Sequence, residues 1–454
     1  MPKPRIIPPR FHAPTKQSAR AYLSMDALLT SARHAFAQLP DPRPSGKIAL
    51  ADALMSGLAV FVLKDPSLLA FDDRRQQDAG NLQRIFGITQ VPCDTRLREL
   101  LDPVDPELLR PLYRELFAHL QRGKALEPFA YFDGYYLLSL DGTGSYSSEK
   151  VGSASCLVKK RRNGTITYYQ QVLGAALVHP DYREVIPLCP EMIQKQDGAK
   201  KNDCERNAAR RFLKKLRAEH PRLKLIVIED ALSANGPHIR DLQEHDLRFF
   251  LGVKPGDHPL LFHLVDQAVA AETAVVFTER DPHHSEISRT FQVVTSVSLN
   301  QANVALKVNF LGCTEQNTKT GVTRTFSWVT DLPLTRENAS HLMRGGRARW
   351  KIENETFNTL KNQGYHLEHN YGLGKEHLSE VFVMLMMLAF LMDQIQQLTS
   401  SLFRAAWQKV GSKRALWEQQ RNLFHCFDLD SMAMLYTAIV NGFRTRHPEI
   451  IYDD

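Results

Sequence analysis

The chain predicts an α/β fold of the α+β kind, a mixed sheet carried between helical ends. Three observations point to it: apolar residues recur at helical spacing near both ends, strand-like runs flank one amphipathic helix in the middle, and a Val-, Thr- and Phe-rich stretch follows. The 454 residues suit two to four domains, at roughly 100–200 residues each. Apolar residues at 43% and charged residues at 24% are ordinary values, which exclude a disordered chain or a fibre.

Residues 1–24 read as a basic, Pro-rich arm, because Lys3, Arg5, Arg10, Lys16 and Arg20 have no acid among them and five prolines interrupt the run. With no apolar core behind the basic start, a signal peptide is not expected. Residues 25–130 read as a helical N-terminal DNA-binding domain. Ile48, Ala51, Leu54, Met55 and Leu58 share one helix face, as do Leu97, Leu100 and Leu101. Asn81–Phe86, then Gly87, then a segment opened by Pro92 and capped by Asp94 resembles a helix-turn-helix, with Thr95, Arg96 and Arg98 starting the second helix. An ordinary helix pair has the same pattern.

Residues 131–259 form the first part of the sheet. Leu137–Asp141 is an apolar run ending in an acid, and Tyr168–Val178 is reached through the hairpin turn Asn163-Gly164. Ala208, Ala209, Phe212, Leu213 and Leu216 make a helical stripe, and Leu225–Ile228 is a doubly buried strand running into Glu229 and Asp230. Residues 260–335 read as an all-β insertion, with strands at Thr273–Thr278, Ile287–Val297, Val304–Phe310 and Val322–Val329. Helical texture returns over 336–395, which completes the core, and 396–454, a helical C-terminal region. The longest apolar run, Val381–Met392, falls short of the ~20 residues a bilayer needs, so a buried helix, no membrane and a cytoplasmic location are expected.

The net charge is only +7, yet the cations cluster. Besides the arm there are Lys159-Lys160-Arg161-Arg162, eleven cations against four acids over 195–224, and Arg336–Lys351. Such segregation suits a polyanion, although solvated helix faces are charged for many reasons. The six cysteines form no CxxC pair, which argues against a zinc ribbon, a redox motif or a disulfide framework. His283-His284 and His366-x-x-His369 lack a third ligand at a usual spacing.

Asp141 and Asp230 end two apolar runs expected to be neighbouring strands. A carboxylate there is costly unless hydrogen-bonded, paired or bound to metal, and two on one rim would suit Mg²⁺ or Mn²⁺. In Arg349-Trp350-Lys351-Ile352-Glu353, the Arg and Glu are i,i+4 on one helix face. That spacing alone describes an ion pair. In a phosphoryl-transfer site Glu353 would complete the metal shell while Arg349 held a phosphate.

At these residues the sequence resembles the DDE transposases of bacterial insertion sequences, near the IS4-type group. The likeness runs from Asp41-Pro42-Arg43, through Asn81-Leu82 to Asp102, and on to about Tyr371, roughly three quarters of the chain. Its blocks are Leu140-Asp141-Gly142-Thr143, the strand ending at Asp230, and Arg349–Glu353, similar to the group's Tyr-Arg-Glu-Lys signature. The acids lie 89 and 123 residues apart.

The resemblance implies an RNase H-like core with a β insertion before the Glu, and two Mg²⁺ (or Mn²⁺) ions. Asp141 would bridge both, Asp230 and Glu353 would hold one each, and water then a freed 3′-hydroxyl would attack. It also implies double-stranded DNA as partner, at terminal inverted repeats and at target DNA, with a homodimer pairing two ends. Arg349, Arg347, Lys361 and Lys159, Lys160, Arg161 and Arg162 would contact DNA. Trp328 would stack on a flipped base, or else be a core residue of the β stretch.

Two positions depart from the signature. Its Tyr falls at Gly346, and its Lys, seven after the Glu, falls at Leu360; Lys361 comes one later, a rotation of ~100° on an α-helix. Glu355 is an alternative third acid. A metal-dependent nuclease without strand transfer, or an inactive DNA-binding remnant of a mobile element, fits the same residues.

Overall fold

The computed structural model describes residues 20–41, 43, 46–193 and 204–442. The basic arm up to residue 19 and the 194–203 part of the second basic cluster lie outside the described residues.

Six helices open the chain: α1 (Met25–Ala37), α2 (Leu50–Val62), α3 (Leu68–Gln77), α4 (Ala79–Phe86), α5 (Asp94–Leu101) and α6 (Arg110–Arg122). Ser24 and Ser67 cap α1 and α3 by accepting a backbone N–H from three residues on. The turn after α4 is made by Gly87 at φ +67°, a left-handed conformation that glycine adopts freely. Asp94 lies inside α5; the capping position is Cys93, and Asp94 instead pairs with Arg98 at 2.8 Å. Arg98 also donates to the Tyr371 carbonyl and Arg96 pairs with Glu99, so two of the expected base-reading residues are engaged within the protein.

The sheet begins with β1 (Ala130–Phe132), β2 (Tyr135–Ser148), β3 (Leu157–Lys160), β4 (Ile166–Val178), β5 (Ile186–Pro187) and β6 (Glu191–Ile193). Next come α7 (Glu205–Glu219), β7 (Leu225–Glu229), α8 (Gly236–Glu244), β8 (Arg248–Gly252) and α9 (Pro259–Ala270). Last are β9 (Val275–Arg280), β10 (Ile287–Ser298), β11 (Lys307–Asn317) and β12 (Thr323–Thr330). The strand order is β3-β4-β2-β7-β8-β12-β11-β10-β9. β4 and β2 are antiparallel, β2, β7 and β8 are parallel, and antiparallel pairing resumes from β12. The sheet is therefore mixed, antiparallel at both sides of a parallel centre, as an α+β fold requires. The apolar stripe of α7 is buried as its periodicity requires. The opposite face is exposed or half-buried, and its cations are partly matched within the protein: Arg210 pairs with Asp241, and Arg211 and Lys215 pair with Glu191.

The β-rich stretch joins this sheet at its edge. Trp328 pairs with Gly252 and Thr330 with Phe250, and the Thr330 hydroxyl donates to the Phe249 carbonyl at 2.6 Å. Helix α9 occupies the start of the stretch read as all-β. Val304, read as the first residue of a strand, lies in a turn and is exposed, and the strand starts at Lys307.

After α10 (Arg336–Arg347) and α11 (Asn358–Asn362) the described residues close with α12 (Leu378–Thr399), α13 (Ser401–Val410), α14 (Lys413–Cys426) and α15 (Met432–Asn441). Helix α12 outruns its apolar run and, at 22 residues, is long and apolar enough to cross a membrane. Of its most apolar 18-residue window, 94% is nonetheless buried inside the protein. Every residue of α2 is buried, and Gly57 admits Leu385 of α12 so closely that a Cβ there would stand 2.7 Å away. Buried Lys64 meets Asp393 at 2.6 Å, and Asn81 donates to the Phe424 and Phe427 carbonyls. The two helical ends of the chain therefore share one core.

Candidate active site

Asp141 and Asp230 leave adjacent parallel strands at the same level. The last parallel pair is Ser139 with Ile228, and each acid stands two residues beyond it. Neighbouring strands are about 4.8 Å apart, so this register alone brings both backbones to one rim. Sequence reading put Asp141 at the end of its strand. In fact β2 continues to Ser148 because β4 holds its outer half, with Asp141 opposite Gly174; what stops beside Asp141 is β7.

The third acid arrives on a distorted helix. Thr335 and Asn338 form a capping box that starts α10, a tight turn spans Ala348–Trp350, and Ile352–Phe357 is π-helical before α11. Glu353 comes within hydrogen-bonding reach of Asp141. Arg349 lies between them, its Nη1 donating to Glu353 at 2.8 Å and to Asp141 at 3.4 Å. Glu355 turns away and accepts from Arg183 at 3.2 Å. Of the two candidates, Glu353 is the neighbour of Asp141.

The π turn bears on the displaced lysine. The Asn358 N–H donates to the Glu353 carbonyl five residues back, so one extra residue is taken up between Glu353 and Lys361. Eight residues here advance about as far round the helix as seven would in α geometry, which offsets the ~100° rotation expected. Lys361 pairs with Glu368 at 2.8 Å, while Leu360 is buried. Gly174 lets the helix approach: a Cβ there would meet the Phe357 ring at 2.6 Å.

Burial, then the neighbouring Glu353, pushes the Asp141 carboxyl up to about 7. A fourth acid, which sequence reading treated only as a counter-charge, joins the cleft. Glu205, first residue of α7, seats its carboxyl where a side chain on Gly142 would otherwise be. Burial and then Asp230 and Glu229 raise its pKa. Nothing in its spacing sets it apart from other helix-start acids. The cleft, about 470 Å³, is lined by Asp141, Glu205, Glu229, Asp230, Ser233 and His238 among others. Glu229 is buried and bonded to His238 at 2.6 Å and to Ser233 at 3.1 Å, which ties the loop after β7 to α8. Exposed Asp230 accepts from the Leu232 N–H.

Among the described residues no three His, Cys, Asp or Glu side chains gather into a ready-made metal site. The donors are nonetheless of the hard oxygen kind that Mg²⁺ and Mn²⁺ take. Burial, and after it the neighbouring acids, disfavours the charged form of Asp141 and Glu205, a cost that a divalent ion would relieve.

Trp328 falls in the core, the second of its two readings. It is 6% exposed and packed between Phe250 and Phe326. The same packing explains Gly346, where a Cβ would stand 2.4 Å from Phe250 and 2.7 Å from the Trp328 indole nitrogen, leaving no room for a tyrosine. The exposed aromatic near the acids is Trp350, 55% exposed with the Arg349 guanidinium over its ring. Lys159, Lys160, Arg161 and Arg162 stand exposed at the β3–β4 hairpin, and Arg161 pairs with Glu149. Arg347 pairs with Glu315 at 2.9 Å and stacks over Phe326. Compared with protein-family models and with curated proteins, the chain matches none.

Proposed function

We propose that the protein is a DDE-type transposase, cutting DNA at element ends and joining the freed 3′-hydroxyl to target DNA, as a homodimer working in the cytoplasm. The observation that carries this reading is a register and a shared arginine: Asp141 and Asp230 leave parallel strands at one level, and Glu353 is joined to Asp141 through Arg349.

Asp141, Asp230 and Glu353 would hold Mg²⁺ or Mn²⁺, with Glu205 close by. A divalent ion bound there makes the attacking oxygen more acidic and shares charge on the leaving oxygen. Arg349 is the residue placed to exchange partners: released from the two carboxylates, its planar fork would grip a phosphate oxygen at the scissile bond. Trp350 beside it offers a face on which a base could stack. Ser139 fixes this turn by donating to the Arg349 carbonyl at 3.2 Å. Lys351, anchored on the Tyr182 carbonyl at 2.5 Å, holds the following turn.

The test is Mg²⁺-dependent nicking of a plasmid carrying the DNA that flanks the coding frame, followed by joining of a pre-cut end to a second duplex. Wild type should do both, and Asp141→Asn and Asp230→Asn should lose cleavage by about a thousandfold or more while binding DNA. Cleavage at wild-type rate by either variant would refute the assignment. The absence of space for a tyrosine at Gly346 favours one second reading, a nuclease that cuts without joining. Nicking with no joined product would select it.

A further inference from the structure

A second cavity, about 680 Å³, opens where α11 meets α14, and five cations line it: Lys64, Arg183, Lys413, Arg414 and Arg421. Glu418 is the one acid among its lining residues. Lys64 is matched by Asp393 behind it, Arg183 by Glu355, and Arg414 by Glu418 through an exposed contact of 3.4 Å. Among the described residues Lys413 and Arg421 have no ion-pair partner; Lys413 rests over the Trp407 ring and Arg421 donates to the Lys64 carbonyl. Two half-buried cations without an ion-pair partner, in a cavity of five cations against one acid, call for an anion. Two further features favour one. Helix α14 starts at this wall, Ser412 capping it and its positive dipole end set beside Lys413. Trp417, also in the wall, is buried with no acceptor for its indole N–H.

We propose that this cavity is a phosphate subsite that grips the DNA backbone away from the point of cutting. Only the choice of DNA as polyanion rests on the proposed function; the cationic cavity does not. The cavity includes Asn362 and Gln363, at the far end of the helix that carries Glu353. Nine residues of helix span roughly 13 Å, at about 1.5 Å each. Arg183 links the two places through its bond to Glu355.

The test uses the full chain and Lys413→Glu/Arg414→Glu. Glutamates in the first turn of a helix are favourable to its dipole, so α14 should form while the cavity's positive charge is cancelled. Wild type is titrated with inorganic phosphate, read by emission of Trp407 and Trp417, and with a 40-base-pair duplex at several salt concentrations. The proposal expects a phosphate response that the variant loses, duplex binding weakened tenfold or more, and a salt dependence shallower by about two ions. Lys413→Arg/Arg414→Lys should bind as wild type. Unchanged duplex affinity and salt slope in the charge-reversed protein would overturn the proposal. Loss of the phosphate response alone would also overturn it, assigning the cavity to a free phosphorylated small molecule. If wild type fails to nick DNA with Mg²⁺ yet charge reversal weakens duplex binding, the catalytic reading fails and this one stands.

Discussion

Glu353 faces Asp141 from a helix that is not quite an α-helix. The two carboxyls are brought within hydrogen-bonding reach, with the Arg349 guanidinium bonded to both. An acid crowded by another acid is costly to keep charged, and here one arginine shared by two carboxylates partly offsets that cost. The arrangement is stable enough to fold and short of positive charge, which is what a cation-dependent site requires before its ion arrives.

Stability should carry the signature of that crowding. Burial and Glu353 raise the Asp141 carboxyl to about 7, against 3.8 for a free aspartate. Between those values the folded protein binds more protons than the unfolded chain, so this group's contribution falls as pH rises from about 4 to 7. Asp141→Asn should therefore raise the melting temperature at pH 8, and the gain should vanish near pH 4. Thermal unfolding across that range checks it; a gain independent of pH would show that Asp141 is not so crowded.

Cation binding should show the opposite slope. Protons and metal compete for Asp141, so Mn²⁺ affinity should climb about tenfold per pH unit below 7 and flatten above it. Calorimetry at pH 6, 7 and 8 in the absence of DNA reads this directly, and proton release should be largest below pH 7.

Glu353 and Glu355 should separate cleanly. Glu353→Gln should reduce Mg²⁺-dependent cleavage by about a hundredfold or more. Glu355→Gln, which loses only the contact with Arg183, should leave it within a few fold. Equal loss in both would mean that the π turn shifts register when DNA binds.

Gly174 should be intolerant for a reason that lies on the strand next to Asp141. A methyl group there would meet Phe357 at 2.6 Å and push the helix, with Glu353, off the sheet. Gly174→Ala should cut activity about tenfold or more with little change in melting temperature, and Phe357→Leu in the same chain should restore part of it.

The junction of the two helical ends depends on a buried charge pair. Lys64 and Asp393 meet at 2.6 Å, and Tyr365 also donates to Asp393. Removing one partner of such a pair leaves an uncompensated charge, at about 3–5 kcal/mol. Lys64→Met should lower the urea midpoint accordingly, and Lys64→Met/Asp393→Leu should recover much of the loss.

What the sequence made legible was whatever periodicity encodes. The buried strand ending at Asp230, the hairpin around Asn163-Gly164 and the stripe of α7 all follow from local pattern, and the strand order then sets Asp141 level with Asp230. The joining of β12 to β8 was hidden because an edge strand reads the same whether it starts a new sheet or extends an old one. The π turn was hidden because no residue type marks it, which is why Lys361 looked out of phase. Glu205 belongs to the cleft through a tertiary contact with Gly142, and contacts of that kind leave no spacing to read. Trp328 could be a stacking platform or a core residue until Gly346 was seen pressed against it.

Manganese binding read by electron paramagnetic resonance at pH 8 tests most directly whether Asp141, Asp230 and Glu353 act as one cation-holding set. Wild type should bind two ions, and Asp141→Asn, Asp230→Asn and Glu353→Gln should each lose at least one, while Glu355→Gln keeps both. Binding by all four variants equal to wild type, or none by wild type, would contradict the account.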